Sequence, residues 1–328
     1  MQCVKNLKVN MEQKILESSK VVVVPHNGID FDAMGSAIGL SVIARKLRKP
    51  SCIVVDDPVY KIDHGVKLVM DDAKRDFTII PRDKYLQMAE DNDLFMLTDV
   101  NKSYLVSIND QLEKDRTIII DHHESDQNTI EASETFIDTS VSSASEVVAK
   151  LLCMYKIKPT PEVANYLLAG IYLDTNKLRK NVSPETMGMV TKLLSAGASM
   201  DRVTDLFVED FESDRRIQEL VGKAKMTNIS IATVFGAEDA EYTREELAKV
   251  ADYLLRYGVD ASFAGGYIGD GVIAVSARSK EKVNVGTVMK EMGGGGNPYS
   301  AATRLTDTNL EEVGKKLMKI IQPPCYIK

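Results

Sequence analysis

The most constraining feature of this chain is a series of short, β-branched apolar runs, several of which give way at once to an acid or an imidazole. VVVV (21–24) leads through Pro25 to His26, LFMLT (94–98) to Asp99, and TIII (117–120) to Asp121, His122 and His123. Such unbroken apolar runs read as buried strands of a parallel sheet. SCIVVDD and DFTIIPRD supply two more strands. Between them, HNGIDFDAMGSAIGLSVIARKLRK passes from a loop into a helix whose apolar face is marked by Ala33, Ala37, Leu40 and Ile43. Residues 60–75 and NKSYLVSINDQLEK also read as helical. Strands alternating with helices at this rhythm predict an α/β layered domain with a mostly parallel sheet flanked by helices.

Helices continue after this alternation. SSASEVVAKLLCMYKI opens with Ser142, Ser143 and Ser145 ahead of Glu146, PTPEVANYLLAGIYLDTNKL runs as helix to about Asp174, and SPETMGMVTKLLSAGA carries Ser183 as cap and Pro184 in its first turn. Residues 201–225 are charged and helical and read as a connector. Beyond them, ISIATVF, ASFAGGYIG and GVIAVSARS read as strands, with helices at REELAKVADYLLRYG, near VNVGTVMKEM and at LEEVGKKLMKII. The expected organisation is a first domain over 1–205, a helical connector over 206–225 and a smaller α+β domain over 226–328. The N-terminal MQCVKNLKVNMEQKILESSK is polar with a helical pattern, unlike a signal peptide.

Composition narrows the classes of function. At 328 residues the chain is too long for one ordinary core. A net charge of −7 argues against a non-specific duplex binder, and the absence of Trp and the low aromatic content argue against an aromatic base-stacking platform for single-stranded nucleic acid. Cys3, Cys52, Cys153 and Cys325 are scattered without CxxC spacing, the pattern of reduced thiols and not of a disulfide framework or a zinc site. No apolar run approaches the ~20 residues needed to span a bilayer. A cytoplasmic protein is expected.

Only four histidines occur in the chain, and three of them follow strands. His64, in YKIDHGVK, is the fourth and reads as a surface or turn residue. The loops after the strands of an open α/β sheet converge at one edge. His26 with Asp30 and Asp32, then Asp99, then Asp121, His122 and His123, then Asp174 would meet there. A single D-x-D after a strand is ordinarily a helix cap; the conjunction is not ordinary. So many carboxylates at one place repel one another unless a cation compensates them. Oxygen-rich ligation with imidazole and no thiolate favours Mn²⁺ or Mg²⁺ over a structural zinc, and the number of ligands suffices for two ions ~3.5–4 Å apart, the arrangement of a two-metal phosphoester hydrolase.

These residues resemble a known family. HNGIDFDAMGS is similar to the H-x-x-x-D-x-D-A-x-G-S segment of the DHH phosphoesterases, and Asp121-His122-His123 to their name-giving motif; SSASE and AGIYLDTNKLR resemble the motifs that follow. ISIATVF through SARS, then VNV and GGGGNPYSAAT, resembles the DHHA1 domain. The resemblance implies one metal held by His26, Asp30 and Asp99, and a second by Asp32, Asp99, His122 and Asp174. It implies that Asp121 orients His122, and that His123 faces the substrate phosphate; Asp121 and His123 are thus the implied catalytic pair. In the second domain it implies phosphate contacts from Arg278 and Ser279 and a close approach of substrate to Gly294, Gly295, Gly296 and Asn297. The family's usual residue after the glycines is His, and Asn297 cannot become cationic.

Within the family the wording of ASF…SARS…VNV…EMGGGG and LLSAGASMDRVTDLF is most similar to the catalytic portion of GdpP-type cyclic di-AMP phosphodiesterases. The implied activity is hydrolysis of cyclic di-AMP to linear pApA. The alternative is the nanoRNase and pAp phosphatase branch, acting on short oligonucleotides and 3′,5′-bisphosphonucleotides. The implied cofactors are two divalent ions, Mn²⁺ foremost, with Mg²⁺ as the other candidate. The expected partners are a cyclic dinucleotide or short oligonucleotide and a second copy of the chain, with no long nucleic acid and no membrane segment. GdpP-type proteins carry membrane helices and further domains ahead of this portion, so the chain is expected to be either a cytoplasmic catalytic part of such a protein or a soluble variant.

Overall fold

The valines of Val21–Val24 (β1) are all buried, and they alternate between two cores: Val21 and Val23 face one side of a sheet, Val22 and Val24 the other. The same alternation runs through Leu94–Thr98 (β4) and Thr117–Asp121 (β5), which is why these strands carry no polar face. In the computed structural model, which describes residues 2–58, 62–208, 211–227, 230–280 and 282–321, the chain divides into two compact units, 1–208 and 209–328.

The sheet of the first unit is completed by Ser51–Val54 (β2), Ile79–Ile80 (β3) and Glu134–Ile137 (β6). Its order is β3-β2-β1-β4-β5-β6, and every pairing is parallel. The order reverses between β1 and β4, so the loops leaving these two strands diverge to opposite sides and open a crevice at their carboxyl ends. His26 and Asp99 lie on those two loops. One face is covered by the helices Gln2–Glu17, Phe31–Lys46 and Ala144–Met154, and Pro161–Asp174 packs on the last two. Pro184–Ala196 carries the expected Ser183 cap, which Thr186 completes into a capping box, with Pro184 at its start.

Two sequence expectations change in this unit. NKSYLVSINDQLEK is not a helix but three short 3₁₀ turns, Ser103–Leu105, Asn109–Gln111 and Lys114–Arg116. Val106 and Ile108 are both buried against the sheet, a two-residue spacing that a helix cannot satisfy. The strand β6 was not anticipated: it is a half-exposed edge, so its ETFI lacks the apolar run of the inner strands.

The second unit holds a mixed sheet in which Ile231–Phe235 (β8) and Ala261–Tyr267 (β9) pair in parallel. Lys225–Met226 (β7), Ile273–Ser279 (β10), Gly295–Gly296 (β11) and Ser300–Leu305 (β12) pair antiparallel, giving the order β11-β12-β10-β9-β8-β7. Helices Arg244–Leu255, Val285–Glu291 and Leu310–Ile321 cover it. The helix Phe211–Gly222, in the segment expected to connect the domains, buries Ile217, Leu220 and Val221 in this unit's core.

Cys52 is buried and Cys153 exposed, both as free thiols; the Cys3 side chain and Cys325 lie outside the described residues. Among the described residues no helix is long and apolar enough to cross a membrane.

Candidate metal centre

Each of the acids and imidazoles of the first unit is set by a local rule. Asp30 is the N-cap of Phe31–Lys46: its Oδ1 accepts from the backbone N–H of Asp32 and Ala33. This cap leaves Oδ2 free, 3.7 Å from His26 Nε2. Asp32, in the first turn and fully buried, accepts the N–H of Ala144 on Oδ2 at 2.7 Å and that of Ser145 on Oδ1 at 2.8 Å. These are the first amides of Ala144–Met154, and their partial positive charge favours a carboxylate. Asp99 takes a left-handed backbone at φ +57°, a conformation that aspartate tolerates better than most residues. Its N–H donates to Ile120 O, tying the end of β4 to β5.

The side chains meet in three overlapping groups: His26 with Asp30 and Asp99, Asp32 with His122 and Asp174, and Asp99 with Asp121, His122 and His123. Asp99 joins them: Oδ2 lies 3.4 Å from His26 Nε2, and Oδ1 lies 3.2 Å from His122 Nε2. His122 Nε2 is also 3.1 Å from Asp174 Oδ2 and 3.9 Å from Asp32 Oδ2. These contacts are close but misaligned, since neither His122 Nε2 nor Asp99 Oδ1 has a hydrogen-bond partner. Buried polar atoms without partners are rare and call for a ligand.

The charges carry the same message. Burial alone would hold His26 and His122 neutral, yet the carboxylates of Asp30 and Asp99, and of Asp174, Asp99 and Asp32, outweigh it and lift both rings to about 11. Asp32 is pushed well up by burial and then by Asp99 and Asp174, and Asp174 is raised by burial, with Asp99 adding to it. Without a cation the cluster is reconciled only by holding protons on rings and carboxyls that a metal would displace. This donor set, all imidazole and carboxylate, is suited to hold divalent metal ions.

One expected role changes. Asp121 does not orient the His122 ring. Its Oδ1 accepts the His122 backbone N–H at 2.7 Å and faces His123 Nδ1 at 2.8 Å, so the ring it holds is that of His123. Asn101 Nδ2 donates to the other oxygen of Asp121 at 2.6 Å. His64 stands exposed at the start of its helix, away from the cluster.

Several positioning residues escaped the sequence reading. Gly170 sits one turn before Asp174, and a Cβ there would lie 2.7 Å from Asp32 Oδ1 and 2.8 Å from Asp32 Cα. A Cβ on Gly35 would be 2.9 Å from the Tyr166 carbonyl carbon. Only glycine lets these helices bring Asp32 and Asp174 together. Asp57, beyond β2, accepts the amides of Gly28 (2.8 Å) and Ile29 (3.0 Å) and pins the loop between His26 and Asp30. The glycines lay within the recognised motifs; nothing in SCIVVDD marks Asp57.

In the second unit, Arg278 and Ser279 do not act as a side-chain pair. Consecutive strand residues face opposite sides: Arg278 Nε contacts both oxygens of Asp252 at 3.1 and 3.2 Å, whereas Ser279 is buried and donates to Asp260 O. Gly294 and Gly296 are required by packing on β12, where added Cβ atoms would come within 2.6 Å of Thr303 Cα and 2.5 Å of Ala301 Cβ. A Cβ on Gly295 would meet nothing within 4 Å. Asn297 Oδ1 accepts the N–H of Tyr299 and Ser300, closing the turn into β12. Arg278 is in register with Ser300, so Arg278 and this turn neighbour each other.

Residues 20–171 match the model of the DHH family, N-terminal domain, and residues 227–322 that of the DHHA1 domain. The chain belongs to the DHH/DHHA1 phosphoesterase family. It is 30% identical over 321 residues to the cyclic-di-AMP phosphodiesterase GdpP of Geobacillus thermodenitrificans, covering 95% of this chain and 48% of that protein. It is 29% identical over 324 residues to the cyclic-di-AMP phosphodiesterase PdeA of Listeria monocytogenes, covering 95% of this chain and 48% of that protein. The chain thus spans about half the length of these curated relatives. Among solved structures, an exopolyphosphatase-related protein from Bacteroides fragilis shares the fold, with a TM-score of 0.81 at 19% identity over 96% of this chain and 95% of that one.

Proposed function

We propose that this chain is a two-metal phosphodiesterase that hydrolyses cyclic di-AMP to linear pApA. The observation that carries the reading is the pair of three-ligand groups joined through the two oxygens of Asp99. His26, Asp30 and Asp99 would hold one divalent ion, and Asp32, Asp99, His122 and Asp174 the other; Mn²⁺ suits a set that mixes carboxylate with imidazole, and Mg²⁺ is the competitor. When bound, such ions supply positive charge to a phosphoryl group and make water a better nucleophile at neutral pH. The names of the GdpP and PdeA relatives support the cyclic dinucleotide as substrate.

The chain's own residues would orient the phosphodiester. With Nδ1 committed to Asp121, His123 keeps Nε2 for a phosphate oxygen, and its ring is raised from the ordinary histidine range chiefly by that Asp121 contact. Arg278, whose Nε is held by Asp252, would grip a second phosphate with its remaining N–H groups. Gly295 leaves its side of the loop open to a ligand. Asn297 would contribute only Nδ2, because its Oδ1 is already spent on the turn. Net hydrolysis breaks one P–O3′ bond, with water adding OH to phosphorus and a proton to O3′.

Incubating the protein with Mn²⁺ and cyclic di-AMP, followed by chromatography, tests the proposal: pApA should accumulate. No pApA, together with release of mononucleotides from short RNA or of AMP from pAp, would replace it with the nanoRNase and pAp phosphatase reading.

A further inference from the structure

We infer that Tyr104 is the stacking platform for one base of the substrate, a specificity element outside the metal ligands and the second unit's phosphate contacts. The inference rests on the dinucleotide reading above. A cavity of about 460 Å³ opens beside the metal centre, and its lining includes His26, Asp99, His123, Asp174 and Tyr104. Everything that identifies the first four is charge or hydrogen bonding, which suits phosphate and metal but not the apolar face of a purine. Apart from the imidazoles of His26 and His123, which are engaged by carboxylates, Tyr104 carries the aromatic ring in that lining.

Tyr104 is 66% exposed, the most exposed large hydrophobic residue among the described residues of the first unit. An exposed ring on a floppy loop would mean little, but this backbone is fixed on both sides. Ser103 N–H donates to Asn128 O, the Asn27 N–H donates to Leu105 O at 2.7 Å, and Lys102 pairs with Asp126 at 2.9 Å. Val106 and Ile108, just beyond, are buried in the sheet core. Asn27 adjoins His26, so the turn Ser103–Leu105 is tied directly to the loop carrying a metal ligand. A tyrosine on a rigid turn orders few rotatable bonds on binding, which is what makes such rings efficient contacts. One ring serves one base, which agrees with a chain that has no Trp and few aromatic residues and so lacks an extended stacking surface.

Two experiments test this separately from the substrate reading. In steady-state hydrolysis of cyclic di-AMP, Tyr104→Ala should raise KM about 5- to 150-fold, the range for losing one base–aromatic stack, while Tyr104→Phe stays near wild type. Because the chain has no Trp, Tyr104→Trp installs a single fluorescent reporter. With Mg²⁺ present instead of paramagnetic Mn²⁺, its emission should be quenched saturably by AMP and far less by ribose 5-phosphate, which carries the phosphate without the base. Equal responses to the two ligands, or a wild-type KM in Tyr104→Ala, would overturn the inference. Selective quenching by AMP without cyclic di-AMP hydrolysis by the wild type would uphold the platform and remove the proposed substrate.

Discussion

Replacing Gly170 with alanine adds one carbon where the helix Pro161–Asp174 meets Asp32. That carbon would sit 2.7 Å from Asp32 Oδ1, about 0.7 Å inside the 3.4 Å at which ordinary contact begins, with Asp32 Cα as obstructive and the Ser145 hydroxyl nearer still. The obstruction includes backbone, so the helices must part. Overpacking of this kind costs about 1–3 kcal/mol, and the helix propensity gained over glycine returns up to about 1 kcal/mol. Gly188, in Pro184–Ala196, is the control: a Cβ there meets nothing within 4 Å. The same substitution at that position should stabilise by about 0.5–1 kcal/mol. The propensity gain is common to both, so the two variants should differ by the overpacking itself, about 1–3 kcal/mol, or about 2–12 °C in the melting transition of a unit of this size. The metal response sharpens the contrast. Mn²⁺ at about 100 times its Kd should stabilise the wild type by about 2.7 kcal/mol. If parting the helices weakens the site 10- to 100-fold, as losing a ligand-orienting contact does, the gain at the same Mn²⁺ concentration falls to about 0.4–1.4 kcal/mol. Scanning calorimetry with and without Mn²⁺ measures both. Equal melting temperatures for the two variants, or an undiminished Mn²⁺ shift in Gly170→Ala, would refute the reasoning.

Asp99→Asn keeps the left-handed backbone, which asparagine also tolerates, while removing the charge shared by the two ligand groups; it should abolish turnover and the Mn²⁺-induced rise in melting temperature with an unchanged circular dichroism spectrum, and residual activity above a few per cent would contradict the shared role of Asp99. Asp57→Ala, which frees the amides of Gly28 and Ile29, should weaken Mn²⁺ binding about 10-fold by calorimetric titration; unchanged affinity would mean that the loop holds itself. Glu146 is buried, which alone would raise its pKa, but contacts from Lys150, Ser142 and Thr186 hold it below the usual carboxylate range. A depressed folded-state pKa stabilises above the unfolded value and is lost as pH falls through the folded one. Glu146→Gln should therefore lower stability by about 1–3 kcal/mol at pH 7, and its deficit should shrink below about pH 4.5, measured by urea denaturation; a deficit independent of pH would assign the effect to packing.

The sequence by itself determined the parallel strands and the metal-ligand candidates. A strand buried on both faces has to be continuously apolar, so VVVV, LFMLT and TIII announce themselves, and the residues at which such runs end are where a doubly wound sheet exposes chemistry. His26, Asp99 and His122 were legible for that reason, Asp30, Asp32 and Asp174 from the motifs around them, and the structure gathers all six into two three-ligand groups. What only tertiary structure decided is what each group touches, because that depends on partners distant in sequence. Asp121 holds the ring of His123 and not of His122, since the turn after β5 carries the nearer Nδ1 to its carboxylate. The segment after Asp99 lost its apparent helix to sheet packing of Val106 and Ile108, which is what leaves Tyr104 at the cavity. The amides that hold Asp32 come from residues 144 and 145, and those that Asp57 secures lie on the loop of His26. Ser279 was readable in principle, because strand alternation sets it opposite Arg278, but a motif read as a unit hides that alternation. Local pattern specifies which residues can do chemistry; only the packed chain specifies which atoms they face.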